Sequence, residues 1–137
     1  MNKKAFTLVE LLAIITILAL LMAMVVIGAK AYFNRQSQKE YDNIKLLAEE
    51  NTKVLVNTNQ EVSKKVNTNL KTPGVSTCKI LYSTLVAKNL MDSDTKNPVN
   101  KTNLIDTAYV KITLQSNYEY SYEFYDTGGD SLINCLN

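Results

Sequence analysis

The apolar and polar positions divide this chain into stretches of different character. From Phe6 to Ala29 it reads FTLVELLAIITILALLMAMVVIGA, and after Glu10 no charge interrupts the run until Lys30. As a helix, that run is long enough to cross a hydrocarbon core of about 30 Å. A helical period then continues in amphipathic form. Phe33, Tyr41, Ile44, Leu47, Ala48 and Leu55 recur at steps near three and four, with Arg35, Lys39, Asp42, Lys45, Glu49 and Lys53 between them. One covered face and one wet face are expected over 30–57. Asparagine and threonine crowd the chain from Asn57, so the continuous helix is expected to end there. Val62, Val66 and Leu70 keep a spacing of four that allows a further helical piece.

Pro73-Gly74 marks a turn. Val75–Tyr82 reads as a short strand or extended segment. Ser83 is expected to cap a short helix through Met91, with Leu85, Val86 and Leu90 facing the core. The polar stretch 92–103, around Pro98, reads as an exposed loop. Alternation then sets in: Val110, Ile112 and Leu114 against Lys111 and Thr113, then Tyr118, Tyr120, Tyr122 and Phe124 against Glu119, Ser121 and Glu123. Two strands joined by a tight turn at Ser116-Asn117 are expected. After a turn over Asp126–Asp130, Leu132 and Ile133 suggest a last short strand that brings Cys135 back toward Cys78. The fold class is therefore α+β: a long N-terminal helix, first membrane-spanning and then amphipathic, packed against a small antiparallel C-terminal sheet. The head is expected to span 58–137.

Composition narrows the chemistry. The chain has no histidine, which excludes Ser–His–Asp and Cys–His catalysis and removes the commonest zinc ligand. Asp92, Asp94 and Asn97 match a calcium loop in part, but Lys96 stands where an oxygen ligand belongs and no glycine supplies the sharp turn. Asp126 and Asp130 flank Gly128-Gly129, where aspartate is favoured for backbone reasons. No metal, cofactor or catalytic residue is expected, and the protein reads as a non-enzyme. The bases stop at Lys111, while Ile112–Asn137 carries only acids. The tyrosines near 120 therefore lack the cations a nucleic-acid platform needs and read as sheet core. Cys78 and Cys135 are too far apart for a CxxC site. Outside the cytoplasm they are expected to form a disulfide, worth about 4 kcal/mol by chain entropy; two separate buried thiols is the other reading.

Lys3 and Lys4 ahead of the apolar run favour an N-in, C-out orientation, with Lys30, Arg35 and Lys39 acting against it. Three readings of the N-terminus compete. Ala29-Lys30-Ala31 offers a signal-peptidase site, but the run exceeds the roughly 7–15 residues of a signal-peptide core. A plain signal anchor leaves Glu10 unexplained, since a mid-membrane acid costs up to about 2.5–3.5 kcal/mol, less near the edge.

The third reading starts from residues 3–12, KKAFTLVELL, which resemble the class III signal of type IV pilins and pseudopilins. The resemblance implies a cleaved leader, 1–5, with a prepilin peptidase cut between Ala5 and Phe6. It implies N-methylation of Phe6 and makes Glu10 the assembly residue. Segment 6–29 becomes the transmembrane and filament-core half of the helix. A carboxylate in lipid would find its cation in the new α-amine of a neighbouring helix staggered by about one 5.4 Å turn. Ala5 stands where the family usually has Gly, and Ile27 where many major pilins carry a helix-breaking Pro, so a straighter helix is expected. The position of the cysteines is similar to the family's C-terminal disulfide region. The implied function is structural: a major or minor subunit of a type IV pilus-like filament, stored in the membrane and then displayed on the cell surface. Implied partners are other pilin subunits, the peptidase, and an inner-membrane assembly platform with its ATPase, with nucleic acid only in a DNA-uptake system. The alternatives are a pseudopilin of a type II secretion or DNA-uptake machine and a signal-anchored extracellular binding domain.

Overall fold

The computed structural model describes residues 7–129 and 131–137, which leaves Ala5, Phe6 and Asp130 outside the described residues. Its first element is a helix of 51 residues, α1 (Leu8–Thr58). The chain divides into two units at Ser37/Gln38. Among the described residues, the N-terminal unit is helix from Leu8 onward. Its apolar side chains are exposed, from 80% at Leu8 to 45% at Ile14. With no glycine cap, proline or bulge to break it, Ile27-Gly28 sits inside a continuous helix, as expected from the absence of proline.

In the second unit, Asn59 interrupts the helix for one residue. Its backbone turns extended (φ −97°, ψ 108°), and its side-chain oxygen accepts the N–H groups of Glu61 and Val62, capping α2 (Gln60–Leu70). Val62, Val66 and Leu70 are all buried at their four-residue spacing. Pro73-Gly74 follows with Gly74 at φ +85° and the Val75 N–H donating to the Thr72 carbonyl (3.0 Å), as a Pro-Gly turn requires.

Three antiparallel strands form one sheet in the order β1 (Thr77–Leu81), β2 (Tyr109–Leu114), β3 (Tyr120–Tyr125). The register pairs Ile80 with Val110, and Val110 with Phe124; Ile112 opposes both Cys78 and Tyr122. Alternation thus places the apolar set on one face, where it meets Ala48, Leu55 and Val56 of α1 and the buried row of α2 in one core. Short helices α3 (Tyr82–Ala87) and α4 (Leu104–Thr107) add Tyr82, Leu85 and Leu104.

The α+β layout is as expected, but several details differ. Phe33 and Leu47 remain 66% and 53% exposed, while Thr52 and Val56 are buried in their place. The covered stripe begins near Tyr41 because the sheet reaches no farther toward the N-terminus. Ser83 caps nothing: the cap position is Leu81, and no side chain serves it. Tyr118 lies on the turn and not on the strand. The Gln115 N–H donates to the Glu119 carbonyl and the Tyr118 N–H to the Gln115 carbonyl, with Tyr118 at φ +65°. This is a three-residue hairpin loop with a left-handed third residue. Leu132 and Ile133 form no strand. Instead Lys79 donates its N–H to the Ile133 carbonyl and accepts from the Cys135 N–H, each at 2.8 Å, an isolated parallel bridge on the β1 edge.

The loop over 92–103 is not all surface. Asn97 is 3% exposed and Pro98 is buried. The Asn97 side-chain oxygen accepts the N–H groups of Val99 and Asn100, and its amide donates to Asp126 Oδ2 at 2.8 Å. A buried amide satisfied at both ends fixes the loop onto the end of β3.

Candidate functional site

At the start of α1, the Thr7 backbone N–H and the Thr7 hydroxyl both donate to Glu10 Oε2, each at 3.0 Å. The Glu10 N–H in turn donates to Thr7 Oγ1 at 3.3 Å. This reciprocal pairing is a capping box, legible in the sequence as T-L-V-E but not used in reading it. Glu10 therefore has a local role: its carboxylate satisfies a donor at the helix start that no carbonyl can reach. A negative charge there is favoured by the helix dipole as well. Ala5 and Phe6, the expected cleavage pair, lie outside the described residues.

After Glu10 the helix presents apolar side chains on every side. Thr16 is no exception, because its hydroxyl donates to the Ala13 carbonyl at 2.8 Å and so needs no outside partner. Among the described residues, α1 is the helix long and apolar enough to cross a membrane. None of that apolar window is buried within the chain. Such a surface requires lipid or other helices around it.

The head carries the second group of expected residues. Cys78 and Cys135 are bonded, with their Cα atoms 5.2 Å apart and both residues fully buried. The bond fastens the C-terminal segment to β1. From α2, Asn69 donates to the Cys135 carbonyl and Lys65 to the Leu136 carbonyl, both at 2.8 Å. Sequence reasoning placed the cysteines but not these two donors, which are scattered polar residues on a helix with no pattern to announce them.

Tyr41 on α1 packs edge-on against Phe124, with ring centroids 6.3 Å apart. Its hydroxyl is pushed up to about 12, first by burial and then by the Asp126 carboxylate beside it. On the outer face of the sheet, Lys111 and Glu123 pair at 2.7 Å, and the Tyr125 hydroxyl donates to Glu123 at 3.0 Å. The pairing holds the Glu123 carboxyl below the usual carboxylate range and pushes Lys111 up. Two tyrosines of β3 are committed inward: Tyr120 and Tyr122 pack on the core, and the Tyr120 hydroxyl donates to Asn67 Oδ1 at 2.6 Å. Asp92 and Asp94 are exposed, and among the described residues no group of carboxylates or thiols is placed to hold a metal.

A groove of ≈ 420 Å³ opens between the Glu40–Leu47 part of α1 and the segment that follows α3. Ile44, Leu47, Leu90 and Met91 line it together with Glu40, Asn43, Asn89, Asp92 and Thr95. Asn51 braces one wall by donating to the Leu90 carbonyl at 2.7 Å.

Residues 1–26 match the family described as the prokaryotic N-terminal methylation motif, the signal of type IV pilins and pseudopilins. No curated protein and no solved structure matches the chain. The motif and the apolar helix behind it fit a membrane-anchored protein with a pilin-like α+β layout.

Proposed function

We propose that a chain carrying this signal serves as a structural subunit of a type IV pilus-like filament, stored in the membrane and assembled through packing of its N-terminal helix. The observation that carries the reading is the apolar half of α1, unburied within its own chain and opened by Glu10 inside the methylation motif. The peptidase cuts between Ala5 and Phe6, Phe6 is methylated, and Glu10 pairs with the α-amine of a neighbour. Burial of the apolar helices against one another, at about 25 cal/mol per Å² removed from water, then stabilises the polymer. Lipid shields the same helices equally well, so the hydrophobic term does not drive extraction and instead holds the polymer together once it is surrounded by water.

The Cys78–Cys135 bond supports an N-in, C-out orientation, since such bonds persist in oxidising compartments outside the cytoplasm. Other subunits, the prepilin peptidase and an assembly platform with its ATPase are the partners this reading requires. Mass spectrometry of the chain purified from its membrane tests it. A methylated N-terminus at Phe6 is expected. A terminus at Met1 would leave a simple signal anchor, and one at Tyr32 a secreted protein.

A further inference from the structure

Tyr118 is the most exposed large side chain described in the head, at 85%. Its backbone sits at φ +65°, a region that favours glycine or asparagine and penalises a residue with a large side chain. Among the described residues, no hydrogen bond or ring contact engages its side chain. The chain thus holds an aromatic ring in a strained conformation at the tip of a hairpin, with no return inside its own fold.

The place that would repay it lies at the other end of the same unit. The hairpin tip is near α2, through the bond from Tyr120 to Asn67, and β3 runs from there to Phe124, against Glu49 and Tyr41 of α1. The groove lined in part by Ile44, Leu47, Leu90 and Met91 begins beside that second end. The four apolar residues of its mixed lining suit a ring, Met91 offers a thioether for an aromatic edge, and Glu40 and Asp92 can accept from a phenol. The Asn51 bond to the Leu90 carbonyl holds that lining in place before anything binds.

We propose that Tyr118 of one copy of this chain seats in the Leu47–Met91 groove of the next. Plug and socket are different patches at opposite ends of one unit, so the contact is heterologous. Repeated, it generates a ring or an open helical array instead of a closed dimer. The inference rests on the reading of the chain as a filament subunit, and it supplies that filament with a contact outside the apolar helix.

The test uses the full-length chain in its membrane, carrying Tyr118→Cys together with Leu47→Cys. Oxidation is expected to give a ladder of covalent oligomers from the double variant, with no species beyond a dimer from either single variant. Tyr118→Gly provides a second readout. Relief of the strained backbone should raise the thermal midpoint of the head, while loss of the plug lowers filament yield about tenfold, the scale of an aromatic hot spot. Filaments without a ladder, or a stabilised Tyr118→Gly chain with unchanged yield, would overturn the contact and leave the filament reading standing. A ladder without filaments would keep the contact and overturn that reading. Neither ladder nor filaments would overturn both.

Discussion

The side chain of Glu49, on α1, accepts the backbone N–H of Phe124 at 2.9 Å. Phe124 lies on β3, the last strand of the sheet, and this N–H points away from β2. A carboxylate from the long helix thereby takes the place of a missing strand. Glu49→Leu is expected to lower stability by about 1–3 kcal/mol, the cost of a half-buried N–H left without its charged acceptor. Glu49→Gln should recover part of it. Denaturant unfolding of the three proteins checks the order.

Tyr41 predicts a loss of stability at high pH. Its folded value is raised from 10.0 to about 12, so the folded state favours the phenol. The stability this contributes is complete below the unfolded value and is lost as pH rises through the folded one. The thermal midpoint should therefore fall between pH 10 and about 12, and Tyr41→Phe should flatten part of that decline. Tyrosinate absorbance of the variant should show a smaller late-ionising component, with Tyr82, Tyr120 and Tyr122, also raised by burial, supplying the remainder.

Reduction of Cys78–Cys135, or Cys78→Ser, frees the C-terminal segment from β1. A loss of about 2–5 kcal/mol is expected. Equal thermal midpoints with and without reductant would count against it. Protease sensitivity should rise first at the C-terminus, where two donors from α2 and the backbone bonds of Lys79 then hold the segment without a covalent tie.

Glu10→Ala is expected to leave insertion and cleavage intact and to lower filament yield by about two orders of magnitude, the scale of a broken buried ion pair. Thr7→Val separates the two roles of that carboxylate. It removes the hydroxyl side of the capping box, worth about 0.5–2 kcal/mol at a helix start, while the acid remains available to a neighbour. Filament yield should fall far less in Thr7→Val than in Glu10→Ala. Equal losses would assign Glu10 to helix capping alone.

The elements with strong periodicity were legible in the sequence. The charge-free run, the spacing of Val62, Val66 and Leu70, and the alternation through Val110 and Phe124 each carry a repeat that only one geometry satisfies. What escaped reading depends on single residues. Asn59 follows Asn57 and Thr58, which are themselves poor helix formers, so composition blurred a boundary that one side chain sets. Tyr118 continued the alternating pattern by type, yet the turn claimed it, because hairpin register is fixed by loop length. Asn97 looked like surface, and only Asp126, far along the chain, makes its burial tolerable. At the N-terminus, Glu10 was legible as an anomaly through its apolar neighbours, whereas its bond to Thr7 required attention to the three-residue spacing of a capping box.

The bridge at Lys79 bears on how these molecules survive crowding. A membrane-anchored chain meets its own copies in the plane of the bilayer. An open strand edge under those conditions is a template on which another chain's strand can grow. On β1, both backbone groups of the central residue are already engaged by the chain's own last residues, and a covalent bond keeps them there. The C-terminal segment therefore acts as a guard against disordered β-aggregation at the β1 edge.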